Sequence, residues 1–158
     1  MRKVSSVKAI IAVVVVISSG AIFSVNAGQK KLRESPEVKK IKTVLDRQVE
    51  AWNRRDLEAF MSGYWQSDSL TFYSGGTGVS GWKTTLDRYR NRYMSAGNEM
   101  GHLDFSDLQI EMLSPTSAFV RGHWRLKMSA SEPGGLFTLV FRKMGDGWKI
   151  VHDHTSSS

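Results

Sequence analysis

The hydrophobic periodicity of this chain changes once, near residue 100. Ahead of that point, apolar residues recur at three- and four-residue spacing, which is typical of amphipathic helices. Beyond it, apolar and polar residues alternate in four stretches, which are residues 105–113, 117–128, 136–143 and 148–155. Short links separate these stretches, so we expect antiparallel strands, because a parallel crossover needs about a dozen residues or more. Helices followed by a strand meander predict an α+β fold.

Three helices are predicted before the strand meander. Ser35 and Asp56 are typical caps for the first two. A short strand and a glycine-rich turn at 75–81 follow, and Ser80 is then expected to cap a third helix that ends at Gly97. Because each helix has a single apolar stripe, the helices must cover one face of the sheet. The large aromatic residues on these stripes are Trp52, Phe60, Tyr64, Trp82, Tyr89 and Tyr93.

The first 27 residues have the three-part pattern of a signal peptide. A basic start and a continuous apolar run precede Val25-Asn26-Ala27, which offers small residues at the positions that a signal peptidase reads. Cleavage is expected between Ala27 and Gly28, which leaves a periplasmic or secreted protein without a stable membrane span. The alternative is an uncleaved anchor, although the apolar stretch at 9–25 is short for a bilayer core of about 30 Å.

The mature chain has the length of one domain, which we assign to residues 37–158 after a flexible lead-in at 28–36. It has no cysteine, which excludes disulfides, thiolate nucleophiles and cysteine zinc sites. The formal charge of +7 includes three basic residues of the first 27, so the mature chain carries +4. Arg88, Arg90 and Arg92 alternate with aromatic residues, but we expect them to be largely solvated. An exported protein of modest charge is not expected to bind nucleic acid.

Four features of the sequence resemble a known fold family. They are Trp52-Asn53-Arg54-Arg55-Asp56-Leu57-Glu58-Ala59-Phe60, Gly81, residues 137–143 (FTLVFRK) and residues 147–156 (GWKIVHDHTS). In order and spacing they resemble the nuclear transport factor 2-like superfamily, most closely the small SnoaL-like proteins also called ketosteroid-isomerase homologues. The chain is also similar to the association domain of calcium/calmodulin-dependent kinase II. The resemblance covers residues 37–156.

This resemblance implies a cone-shaped half-barrel with a pocket between the helices and the concave face of the sheet. It also implies that Trp124, Leu139 and Asp153 turn toward this pocket from the strands, with Asp153 as its acid. The predicted pocket residues are therefore Trp52, Phe60, Tyr64, Trp82, Tyr89, Tyr93, Trp124, Leu139 and Asp153. The convex face of the sheet commonly pairs with another subunit in the family, so we expect a homodimer.

Two further motifs have alternative interpretations. His152 and His154 are a credible metal pair with His123, but the same resemblance places this pair on the convex face, where a hydrogen-bonded or interface role is expected. The pattern Gly-x-Gly-x-x-Gly at 76–81 has the local form of a dinucleotide fingerprint. It lacks the surrounding parallel strands of that fold, so we interpret it as a mobile loop at the pocket rim. No metal or cofactor is therefore expected.

The predicted acid of the pocket allows two roles. A carboxyl group surrounded by aromatic side chains has a raised pKa and can accept a proton, so Asp153 is a candidate general base. The alternative, which we favour, is a structural acid bonded to tyrosine, tryptophan or backbone donors that holds the end of the strand in place. The superfamily's ketosteroid isomerases use an acid opposite a tyrosine, but no clear second carboxylate completes such a set here. Three functions stay open: a binder of a small, partly apolar ligand, which we favour, a cofactor-independent isomerase or dehydratase, and an oligomeric assembly module.

Overall fold

The computed structural model describes residues 34–157. The predicted signal peptide at 1–27 and most of the predicted lead-in lie outside the described residues. Three helices come first along the described part: α1 (Pro36–Asn53), α2 (Leu57–Met61) and α3 (Trp82–Tyr93). Among the helices of this part, none combines the length and the apolar character needed to cross a membrane.

Six strands of the described residues form one sheet. They are β1 (Thr71–Ser74), β2 (Thr77–Ser80), β3 (His102–Ser114), β4 (Ser117–Lys127), β5 (Gly134–Met144) and β6 (Gly147–Thr155). Their order across the sheet is β2-β1-β6-β5-β4-β3. Strands β3 to β6 form the predicted antiparallel meander, whereas β1 lies parallel to β6. The result is a curved, open, mixed sheet with the helices on one face, which confirms the predicted α+β class.

The first two helices begin at the predicted caps. Ser35 Oγ accepts a hydrogen bond from the Val38 backbone N–H at 3.2 Å, and the Asp56 carboxylate accepts one from the Ala59 backbone N–H at 2.9 Å. Each cap satisfies an amide that the first helical turn leaves without a partner. The buried residues of α1 are Ile41, Leu45, Gln48, Ala51 and Trp52.

Helix α3 differs from the prediction at both ends. Gly81, rather than Ser80, occupies the N-cap position, with a φ of +94° that favours glycine. Ser80 is the last residue of β2 and leads into this turn. The helix ends at Tyr93, with Met94 as its C-cap. The predicted stop, Gly97, has a φ of +82° and lies in the loop that follows.

The glycine-rich segment is a β-hairpin, which corrects the prediction of a mobile loop. Gly75 and Gly76 form the turn between β1 and β2, with φ values of +59° and +73°. Both angles lie in the left-handed region that only glycine adopts without strain. The second strand of this hairpin is the edge of the sheet, so the segment extends the sheet beside β6.

A bulge in β6 sets the direction of its last side chains. Ile150 and His152 pair with adjacent residues of β5, so Val151 is an extra residue in the ladder. Ile150 and Asp153 are consequently both buried, although a regular strand would place them on opposite faces. Asp153 therefore points inward, as the family resemblance implied, because the bulge shifts the alternation of the strand before this residue.

Strand β3 contains a second bulge with the same effect. Ser106 and Gln109 pair with β4 residues that are only two positions apart, and Asp107 between them has a φ of +52°. Leu103 belongs to the core before this bulge, and Leu108, which lies within the bulge, also packs against the core. Because bulges bend a strand and increase its twist, these two irregularities contribute to the concavity of the sheet.

Candidate functional site

A cavity of about 290 Å³ lies between the helices and the concave face of the sheet. Residues from α1, α2, α3 and from all strands except β2 contribute to its wall. Eight of the nine predicted pocket residues are among them, namely Trp52, Phe60, Tyr64, Tyr89, Tyr93, Trp124, Leu139 and Asp153. The further wall residues are Gln48, Phe72, Ser74, Gly75, Arg88, Arg92, Leu103, Phe105, Leu126, Phe137, Thr155 and Ser157.

Trp82 is the predicted pocket residue that lies elsewhere. Its indole N–H donates a 2.9 Å hydrogen bond to the backbone carbonyl of Met61. This bond ties the first residue of α3 to the last residue of α2, and the ring borders a different surface depression that also contains Trp65. The position of Trp82 on one helix with Tyr89 and Tyr93 predicts a place in the pocket, but the side chain of this first residue of α3 does not line the cavity.

The helical side of the cavity is an aromatic cluster. The ring centroid of Trp52 lies 4.8 Å from that of Tyr93 and 5.1 Å from that of Phe60, both in edge-to-face arrangements. Tyr89 stacks on Tyr93 at 6.0 Å. A 3.2 Å hydrogen bond from the Trp52 indole N–H to the carbonyl of Met100 fixes the central ring. Such contacts leave a rigid, apolar wall of aromatic faces and edges.

The acid of the cavity is held by two hydroxyl donors. Asp153 Oδ2 accepts a 2.7 Å hydrogen bond from the Tyr64 hydroxyl, and Oδ1 accepts a 2.7 Å bond from the Thr155 hydroxyl. The side chain is 4% exposed. Parallel pairing of β6 with β1 places Asp153 beside Phe72, so its neighbour on the adjacent strand is apolar.

Burial controls the protonation of this acid. Loss of hydration raises the pKa of Asp153 to about 6, and the bonds from Thr155 and Tyr64 oppose that increase because they favour the carboxylate. Burial also holds the pKa values of Tyr64 and Tyr89 well above 10.0, so both hydroxyls stay neutral. The site thus combines an acid that changes charge near pH 6 with neutral phenol donors, which can orient a polar group or transfer a proton.

Two arginines of α3 contribute to the wall of the cavity. Arg88 is half-buried, contrary to the prediction that it is largely solvated, whereas Arg92 is exposed as predicted. Arg88 and Arg92 are four residues apart, so they lie on one side of the helix, each next to a wall tyrosine in the sequence. Their spacing repeats that of Tyr89 and Tyr93, and this shared period is the signal that could have identified them. Arg90 points elsewhere and pairs with exposed carboxylates.

The two histidines of β6 lie on the other face of the sheet. His152 Nδ1 is 2.6 Å from the Thr71 hydroxyl, and the Tyr73 ring meets the edges of both His152 and His154. Burial lowers the pKa of His152. Within residues 34–157, no group of three or more His, Asp or Glu side chains is placed to hold a metal ion. Here the histidines make hydrogen-bond and ring contacts.

Solved structures with the same fold include one close relative. An NTF2-like protein of unknown function from Shewanella oneidensis MR-1 is 42% identical over 75% of this chain and 97% of that one, with a TM-score of 0.71. A ketosteroid isomerase-like protein from Erwinia carotovora atroseptica is 19% identical over 78% and 98% of the two chains, with a TM-score of 0.63. A protein from Thiobacillus denitrificans that is named for the calcium/calmodulin-dependent protein kinase type II association domain is 20% identical over 74% and 94% of the two chains, also with a TM-score of 0.63.

At these lower identities the likeness shows the fold alone, whereas the first relative and a sequence profile show the family. A search of curated proteins finds no match. The profile of the SnoaL-like domain matches residues 41–158, which is most of the chain and includes every strand and helix described above except the first five residues of α1. The chain therefore belongs to the SnoaL-like domain family of the NTF2-like superfamily.

Proposed function

We propose that this chain is an exported protein that binds a small, partly apolar ligand. The observation that carries the proposal is the aromatic cavity with the buried carboxyl group of Asp153 in its wall. A volume of about 290 Å³ is at the lower end of the range of ligand pockets, which is about 300–1,000 Å³. The ligand is therefore compact, with an apolar body against the aromatic cluster and a polar group that Asp153 orients.

Binding is tested on the purified mature protein. Native mass spectrometry identifies a copurified compound, and tryptophan fluorescence then measures its affinity. Trp124→Leu removes part of the cavity wall and is expected to weaken binding by about tenfold, the effect of about 1.4 kcal/mol. Trp65→Leu is the matched control, because Trp65 borders a depression outside the cavity. If the two variants bind with equal affinity, the ligand site is not this cavity.

A second candidate function is a cofactor-independent isomerase or dehydratase with Asp153 as general base. A carboxyl group with a pKa of about 6 beside the neutral Tyr64 hydroxyl supports this candidate, because a base that titrates near the working pH transfers protons efficiently. Asp153→Asn then abolishes turnover while ligand affinity survives. A variant that keeps its turnover excludes this chemistry.

The proposed export depends on the signal peptide, and the proposed dimer depends on the convex face of the sheet, so each needs its own experiment. The leader is tested by cell fractionation and by N-terminal sequencing, which should find Gly28 at the new terminus. Light scattering on the mature protein measures the oligomeric state, for which we expect a homodimer through the convex face of the sheet. A higher oligomer with no ligand dependence favours the assembly module instead.

A further inference from the structure

We propose that the ligand of this cavity is a small organic monoanion, an apolar ring system with one carboxylate that Arg88 and Arg92 bind at the cavity mouth. This inference rests on the proposed binding function and names the chemical class of the ligand. It starts from the position of the two side chains, which both line the cavity from one side of α3. Arg88 is half-buried and Arg92 is exposed, so together they extend from the wall toward solvent.

Aromatic rings fix both guanidinium groups at the cavity. Arg88 Cζ lies 5.7 Å from the ring centroid of Phe72, and Arg92 Cζ lies 5.5 Å from that of Tyr93. Both rings belong to the cavity wall. A cation over an aromatic face is held in place without losing its charge, so the guanidinium groups are pre-organised for a ligand.

The charges of these two arginines are not neutralised by the protein. Across residues 34–157, neither forms an ion pair with a carboxylate, and each makes one hydrogen bond. Arg88 donates to the carbonyl of Ser74 at 3.4 Å, and Arg92 donates to the hydroxyl of Tyr93 at 3.2 Å. A guanidinium has five N–H donors, so most remain for a ligand. Arg90 on the same helix differs, because it pairs with two carboxylates.

The net charge of the residues that line the cavity favours a ligand with a single negative charge. The two arginines contribute two positive charges, and Asp153 is the one acid among the described wall residues. When Asp153 is ionised, the cavity carries one net positive charge, which a single carboxylate balances. A doubly charged phosphate would exceed this balance, and Asp153 would repel it more strongly than a single carboxylate. The planar guanidinium also matches the geometry of a carboxylate, which it can bind through two parallel hydrogen bonds.

The test uses pairs of ring compounds that differ in charge alone. The mature protein is titrated with benzoate, 2-naphthoate and 9-anthroate, and with the neutral amide of each, at pH 7.5 and low salt. We expect at least one acid to bind about tenfold or more tightly than its amide, because hydrogen bonds to charged groups are the stronger kind. Arg88→Gln should remove most of that difference, because it should weaken binding of the acid far more than binding of its amide. Arg90→Gln, with the same change in net charge, should alter neither affinity by more than about twofold.

The possible results distinguish a failure of the monoanion proposal from a failure of the proposed ligand binding. If amides bind as tightly as acids, the cavity binds ligands but the inference is refuted. If no acid and no amide binds, the proposed function fails and the inference fails with it. If 2-naphthyl phosphate binds more tightly than 2-naphthoate, the assignment to a monoanion is wrong. Should Arg88→Gln fail to fold, as judged by circular dichroism, Arg92→Gln tests the same loss from an exposed position.

Discussion

Asp153→Asn should remove a pH dependence of stability that burial imposes on this protein. Burial raises the folded-state pKa of Asp153 from 3.8 to about 6, so the folded chain binds this proton more tightly than the unfolded chain. The stability that this group contributes is fully present below pH 3.8 and is lost as pH rises through about 6. A shift of about two pKa units corresponds to about 3 kcal/mol.

The neutral amide of asparagine lacks this titration. The free energy of unfolding of the variant, minus that of the wild type, should therefore rise by about 3 kcal/mol between pH 3.5 and pH 7.5. Any constant cost of rearranging the bonds from Tyr64 and Thr155 cancels in this difference between the two pH values. Urea unfolding, followed by tryptophan fluorescence at several pH values, measures both proteins under the same conditions.

Asp87→Asn provides the control of opposite sign. Hydrogen bonding to Lys83, and then to Arg90, lowers the pKa of the exposed Asp87. The contribution of Asp87 is present above its unfolded-state value and is lost as pH falls, so its difference curve should run in the opposite direction. A flat curve for Asp153→Asn, or one that falls toward pH 7.5, would refute the assignment of a raised pKa to this carboxyl group.

Two more substitutions test the surroundings of the site. Tyr64→Phe removes a hydrogen bond that favours the Asp153 carboxylate, so the stability transition should move above pH 6 by about one unit or more in the same urea series. Gly135→Ala would place a methyl group 2.1 Å from the carbonyl oxygen of Ser156, and we expect a loss of about 1–3 kcal/mol in thermal unfolding. Gly145→Ala, which meets no atom within 4 Å, is the control and should change stability by less than about 0.5 kcal/mol.

Local periodicity predicted the elements that depend on neighbours in the sequence. The apolar spacing of α1 and the caps at Ser35 and Asp56 are short-range features, and the structure has them where they were expected. Strand alternation and the short links likewise predicted the antiparallel meander, in which the links are two residues long except for the six residues at 128–133 between β4 and β5. The aromatic wall followed from the same helical spacing, with Trp82 as the exception.

Features that depend on long-range pairing could not be predicted in this way. The parallel pairing of β1 with β6 joins residues about 80 positions apart, and no local pattern encodes that choice. The bulge at Val151 reverses the alternation of β6, and regular alternation places Ile150 and Asp153 on opposite faces, so the burial of both could not be predicted from the local pattern. The inward direction of Asp153 was implied by the family resemblance alone. The charge of Arg88 predicts a solvated position, whereas its Cζ lies 5.7 Å from the ring centroid of Phe72, because long cationic side chains can lie along apolar surfaces.

The extra residue Val151 bends β6 without changing which side chains face the cavity, so the curvature of the strand and the identity of its inward residues can vary independently. Its deletion would restore a regular ladder while Ile150 and Asp153 kept their present faces, because the pairing on either side already matches that register. The backbone would straighten there and the hollow would become shallower, with every wall side chain retained. Single-codon insertions and deletions at such positions thus offer evolution, or an engineer, a means to resize the chamber while its chemistry stays constant.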